Sequence, residues 1–144
     1  MIAIGSDHGG FALKEIVKKH LEELGLEYVD CGCYSTDSVH YPVYAQAVAK
    51  QIQTGACDRG ILICSTGIGI SMAANKCKGI RAALCHDPYS AKMTRLHNDA
   101  NVLCMGGLII GTNLALEITD VFLNTAFSGE ERHQKRIDMI EEGQ

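Results

Sequence analysis

The chain has 144 residues, 47% of them hydrophobic and 21% charged, with a formal net charge of −4. That length predicts one domain over 1–144, with a core large enough to fold without metal or disulfide staples. The acidic balance argues against a nucleic-acid footprint or an anionic membrane surface, and no apolar run approaches the roughly 18 residues of a membrane helix.

Strand and helix signals alternate along the whole chain. Apolar β-formers predict a first strand over 1–5, and SDHGG at 6–10 turns the chain. A helix follows over 11–24, with Leu13, Ile16, Val17, His20, Leu21 and Leu24 on one face and Gly25 closing it. Strand two, 27–31, ends in Gly32 and a polar loop through His40. Pro42 suits the first turn of a helix reaching about residue 54, which Gly55 closes. Strand three, 60–64, leads into a helix over 69–76; strand four, 81–85, leads into one over 88–96. Strand five, 101–105, precedes helices over 113–126 and 130–142. Five strands joined by helical crossovers predict a three-layer α/β/α sandwich around a parallel sheet. The Rossmann-type, flavodoxin-like strand order 2-1-3-4-5 puts the switch point between strands one and three. Those strands end in Asp7-His8 and in Cys64-Ser65-Thr66, so polar groups converge on the expected crevice.

The segment 61–71, ILICSTGIGIS, carries the clearest chemistry. A buried strand ends at Cys64, and Ser65, Thr66, Gly67, Ile68 and Gly69 form a turn into a helix. The two glycines let the backbone bend and leave N–H groups free to face a ligand, and the helix dipole behind them favours negative charge. The Cys64 thiol faces the same field. A cysteine ending an apolar strand is also commonly just a small buried hydrophobe, so partners are needed. Asp7 and His8 follow strand one at the switch point. Asp7 could simply cap a helix, or the pair could hold sugar hydroxyls or a phosphate oxygen. His97-Asn98-Asp99 lies before strand five, where a histidine is usually a surface group, yet His97 is a fit acid–base partner for a thiolate.

Arg132 and Arg136 form an i, i+4 pair within a basic cluster. Such runs are mostly solvated helix faces; the alternative is a phosphate clamp, which would serve a neighbouring subunit if the helix lies far from its own crevice. His20 reads as a satisfied core residue, while His86 could line the crevice. The seven cysteines, Cys31, Cys33, Cys57, Cys64, Cys77, Cys85 and Cys104, include no C-x-x-C pair and no zinc spacing. With no signal segment at the N-terminus they predict reduced thiols, a cytoplasmic protein and no metal. A Walker lysine, a G-x-G-x-x-G after strand one and a G-x-S-x-G elbow are all absent.

Five ordered motifs, GSDHGG (5–10), ILICSTGIGIS (61–71), ANKCKGIRAA (74–83), RLHNDAN (95–101) and ERHQKRID (131–138), give the chain an end-to-end resemblance to the ribose-5-phosphate isomerase B (RpiB/LacAB) family of sugar-phosphate isomerases. The resemblance implies aldose–ketose interconversion of a sugar phosphate, in the non-oxidative branch of the pentose phosphate pathway, without cofactor. It also implies a homodimer or homotetramer with active sites shared between subunits. Carried over by position, Cys64 is the base and His97 assists opening of the furanose ring. Asp7, His8 and Asn98 contact substrate, the 65–69 loop stabilises the enediolate, and Arg132 and Arg136 bind phosphate. Two positions depart from the family pattern. Leu108 stands where a phosphate-binding arginine is common, and Ser65 where glycine is frequent. They leave open a hexose 6-phosphate (allose or galactose) or a free sugar as substrate. A non-catalytic sugar-phosphate-binding module and a thiol-redox role are the readings from other classes.

Overall fold

The computed structural model describes residues 1–143. Its elements run β1 (Ile2–Ser6), α1 (Phe11–Glu23), β2 (Tyr28–Asp30), α2 (Tyr41–Gln53), β3 (Arg59–Cys64), α3 (Ile68–Asn75), β4 (Ala82–Leu84), α4 (Pro88–Asn98), β5 (Val102–Gly106), α5 (Thr112–Asn124) and α6 (Glu131–Glu142). All five strands are parallel, in the order β2-β1-β3-β5-β4.

The three layers follow from the pleat. Successive side chains of a strand point to opposite faces, so Ile61 and Ile63 join one core and Leu62 and Cys64 the other. The first core packs Leu13, Val17 and Leu21 of α1, Ala91 of α4, and Ala115, Ile118 and Phe122 of α5 against the sheet. The second packs Ala45, Val48 and Ala49 of α2 with Ile70 and Ala74 of α3. Small residues in α2 and α3 bring those helices close to the strands.

The expected order 2-1-3-4-5 is corrected in one place: β5, not β4, pairs with β3. The five residues of β5, VLCMG, are all buried, whereas the three of β4, AAL, are partly or fully exposed. A continuously apolar strand needs neighbours on both sides, and a short strand of small residues suits an edge. Crossover handedness then sorts the helices. Chain steps toward β4 run over the α2/α3 face, and the step back to β5 must run over the opposite face, which puts α4 beside α1 and α5. The switch point between β1 and β3 is unchanged.

Two charged side chains are wholly buried. Lys14 donates from Nζ to Asp30 Oδ1 and to the Cys33 carbonyl, each at 2.6 Å. Arg95 donates to Asp99 Oδ1 at 2.8 Å and to the Ala100 and Thr125 carbonyls at 2.6 and 3.0 Å. On the expected apolar face of α1, Ile16 and Leu24 are exposed instead. His20 sits half-buried with Nε2 2.7 Å from Asp120 Oδ1, a satisfied tie between α1 and α5.

Candidate active site

Three loops meet at the carboxyl edge of the sheet, following β1, β3 and β5. The Asp7 N–H donates to the Ile63 carbonyl at 3.2 Å, the Gly107 N–H to the Cys64 carbonyl at 2.8 Å, and the Leu108 N–H to the Ser65 carbonyl at 3.0 Å. Glycine is required at this seam. A Cβ on Gly10 would lie 2.2 Å from the Ile63 carbonyl oxygen, and one on Gly9 would lie 2.1 Å from Ser65 Oγ.

Cys64 ends β3 at 5% exposure, pointing into the α2/α3 layer. The Gly67 N–H donates to its Sγ at 3.1 Å. Gly67 holds φ at +76°, the left-handed conformation that turns its N–H back toward the sulfur, and it forms the N-cap of α3. Thr66 Oγ1 accepts from the Ile68 N–H at 3.2 Å, while the N–H groups of Gly69 and Ile70 have no hydrogen-bond partner among the described residues. These donors, with the axis of α3 behind them, form a cradle for an oxyanion next to a sulfur atom. The Gly106 N–H donates to His86 Nε2 at 3.1 Å, so His86 braces the loop after β5 rather than facing open crevice.

Asp7 takes the capping role. Its Oδ1 accepts from the Gly10 N–H at 3.1 Å, capping the turn, and its side chain is otherwise buried beside the β3 loop. His8 accepts the Val39 N–H at Nδ1, 3.2 Å away, so a neutral ring carries its proton on Nε2 and offers a donor to a ligand.

Burial pushes the thiols of Cys31 and Cys85 up to about 11 and raises those of Cys57, Cys77 and Cys104 as well. Those five are poor candidates for a thiolate base.

The remaining expected residues lie elsewhere. His97 and Asn98 occupy the last turn of α4, which starts at the carboxyl edge after β4 and runs back across the sheet. Asn101, three residues on, accepts the Gly60 N–H at its carbonyl, 2.8 Å, at the opposite end of β3 from Cys64. Cys64 lies four residue steps along the strand from Gly60, roughly 13 Å at the usual rise. Arg132 and Arg136 lie on α6, which packs beside α4 through the stacking of His133 on His97 and is tied to Arg81, just before β4, by the Arg81–Glu141 ion pair at 2.5 Å. Arg132 is 68% exposed and pairs with Glu130 at 2.9 Å. Arg136 is exposed, with no hydrogen-bond or ion-pair partner among the described residues. The expected residues therefore fall into two groups: Asp7, His8 and the 64–69 loop at one edge of the sheet, and His97, Asn98, Arg132 and Arg136 at the other.

A family model described as Ribose/Galactose Isomerase matches residues 2–140. The chain belongs to this isomerase family. It is 49% identical over 139 residues to ribose-5-phosphate isomerase B of Escherichia coli, covering 96% of this chain and 93% of that protein. It superposes on the crystal structure of a ribose 5-phosphate isomerase from Thermotoga maritima with a TM-score of 0.96 at 51% identity, over 98% of this chain and 97% of that one. A ribose-5-phosphate isomerase B from Clostridium thermocellum superposes equally, with a TM-score of 0.96 at 49% identity, over 98% and 95% of the two chains.

One residue of this isomerase that touches the second group escaped the sequence reading. His133 and Ile137, spaced i, i+4, are the buried residues of α6, whose remaining side chains, Met139 and Ile140 among them, are half-buried or exposed. That spacing was the available signal: a histidine paired with an isoleucine on the inner face of a charged helix.

Proposed function

We propose that this chain interconverts ribose 5-phosphate and ribulose 5-phosphate through an enediolate, with Cys64 as the base. The thiolate takes the proton from the carbon beside the carbonyl and returns it to the neighbouring carbon, while the 65–69 loop holds the charged oxygen. A single N–H of that kind is typically worth ~3–4 kcal/mol to the transition state. His97 moves a proton to the ring oxygen as the furanose opens, Asn98 contacts the substrate, and Arg132 and Arg136 hold the phosphate.

The observation that carries this reading is the donor-lined sulfur at the strand end, with its acid–base partner and phosphate clamp at the far edge of the same chain. A second copy joins the halves if its α4–α6 edge meets the Cys64 edge of the first. The active unit is then a homodimer, or a homotetramer of two such pairs, acting in the cytoplasm. Ile68 and Met72 of α3, 47% and 64% exposed beside Cys64, supply apolar surface for that contact.

The first test is isomerisation of ribose 5-phosphate with EDTA present, beside the Cys64→Ala variant. Turnover is expected to survive chelation and to vanish in the variant. Mixed refolding of Cys64→Ala with His97→Ala tests the shared site. Half the dimers are then hybrids, and each hybrid has one site with both groups intact, so activity is expected to return to about a quarter of the native value. Recovery near zero would place both groups in one subunit's site. Leu108, 76% exposed where an arginine is common in the family, favours a second reading, a hexose 6-phosphate or a free sugar. The same assay run on allose 6-phosphate and ribose separates it.

A further inference from the structure

His97 is exposed, and no hydrogen bond holds its ring among the described residues. Its one ring contact is with His133, whose imidazole lies 4.3 Å away centroid to centroid and 20° from parallel. His133 is itself fixed. It is 6% exposed, opens α6 on the helix's buried face, and has Nε2 3.2 Å from Glu130 Oε2. That same carboxylate oxygen accepts from Arg132 Nε at 2.9 Å. An exposed ring with no hydrogen bond among the described residues thus rests on a buried, paired one, and the buried one shares its partner Glu130 with Arg132.

We propose that His133 is a positioning residue for His97: it fixes the plane of the His97 ring by stacking and, through Glu130, couples that plane to Arg132. The inference rests on the role given to His97 above. Transfer of a proton to a ring oxygen needs the imidazole nitrogen within hydrogen-bond reach and in line, and a misplacement near 1 Å can cost about 100-fold. A side chain with no hydrogen bond of its own cannot meet that demand alone. Burial, together with the neighbouring His97 and Arg132, holds the His133 imidazole below the ordinary histidine range, which suits a neutral ring as the underlying surface. The network also gives phosphate binding a route to the acid–base group. A phosphate that draws Arg132 off Glu130 leaves that carboxylate to His133 alone.

The test pairs His133→Ala with His133→Phe, which keeps a flat ring and removes both nitrogens. His133→Ala is expected to lower kcat on ribose 5-phosphate about 10- to 100-fold with KM within about threefold; His133→Phe, held flat by the same burial but cut off from Glu130, is expected to recover the part of the loss that stacking accounts for, which is most of it. In a His97→Ala background, His133→Ala should add no more than about a twofold change, because a residue acting through His97 has nothing left to act on. The second readout is independent of turnover. In isotope-labelled protein the His97 ring proton should show the ring-current shift of a stacked partner, kept in His133→Phe and lost in His133→Ala. A full effect of His133→Ala in the His97→Ala background, a rise in KM at constant kcat, or a His97 resonance indifferent to His133 would each overturn the proposal. Full activity in His97→Ala would instead remove the ring-opening role that the proposal rests on, and the resonance would still report whether the stack exists. If His97→Ala has no measurable turnover, the His133→Phe recovery and the resonance decide.

Discussion

Gly67 and Gly55 have nearly the same backbone, φ +76° and +79°, but opposite surroundings. A Cβ on Gly55, just past the end of α2, would meet nothing within 4 Å. A Cβ on Gly67 would lie 2.5 Å from Leu84 Cδ1, 2.8 Å from the Met105 carbonyl carbon and 3.0 Å from the Gly106 nitrogen. Leu84 can turn aside. The backbone of β5, buried and paired on both sides, cannot. Alanine in the left-handed region costs about 1–2 kcal/mol at either site. Overpacking against fixed backbone adds about 1–3 kcal/mol at Gly67 alone. At about 3 °C per kcal/mol for a domain of this size, Gly55→Ala should lower Tm by about 3–6 °C and Gly67→Ala by about 6–15 °C. The functional outcomes should separate further. Relief of the Gly67 contact requires the loop to move, which takes the N–H off Cys64 Sγ and misaims its neighbours. Loss of one such donor typically costs about 100- to 1,000-fold in kcat. Thermal unfolding and ribose 5-phosphate turnover on the two variants test this directly. Equal Tm losses, or a Gly67→Ala enzyme within about twofold of native turnover, would refute the reasoning.

Two further expectations probe the frame and the substrate. Burial opposes charge on Asp30, but hydrogen bonds from Lys14 and Lys18 outweigh it and hold the carboxyl below the ordinary range. A depressed folded-state pKa contributes stability that is complete above the unfolded value, about 3.9, and is lost as pH falls through the folded value. Stability against urea should therefore fall below about pH 4 in the native protein and less steeply in Asp30→Asn, which also loses up to about 3–5 kcal/mol at neutral pH by leaving Lys14 buried with only the Glu15 carboxylate, 3.7 Å away, as counter-charge; a variant with the same acid profile as the native protein would exclude Asp30 as the source. Leu108→Arg restores a cationic fork at an exposed position beside the Cys64 edge, and should lower KM for the phosphate ester severalfold at similar kcat. An unchanged KM would mean that residue 108 does not reach the phosphate.

The sequence was most legible where local rules and tertiary demands agree. The boundaries of α1, β3 and α6 fall within two residues of the periodic patterns, because an apolar period, a closing glycine and a polar loop all mark the same place. Legibility failed where a residue's role depends on a distant partner. Lys14 reads as part of the polar stripe of α1, yet it is buried because Asp30 and the Cys33 carbonyl wait at the ends of other segments. Arg95 is hidden in the same way by Thr125, thirty residues on. The strand order is different in kind: the contrast between a fully apolar VLCMG and a small AAL is present in the sequence and marks β5, not β4, as the inner strand, against the simple chain order.

The separation of Cys64 from His97 is a consequence of the fold and not an accident of this chain. In a parallel α/β unit each helix runs back along the strand it follows, so a strand's last residue and a helix's last turn face opposite edges. Cys64 is the first kind of position and His97 the second. No loop adjustment closes roughly 13 Å of intervening strand without unpairing β3 from β5. A chemistry that needs both groups on one sugar must therefore either move one of them to another element or bring in a second copy. Two features favour the copy here. The His97 edge already carries Arg132 and Arg136, with Arg136 exposed and without an ion-pair partner among the described residues, and the Cys64 edge has Leu108 in place of an arginine. On the proposed mechanism one edge would hold the base and an anion cradle and the other a proton donor and the phosphate charge, each incomplete in the way the other supplies.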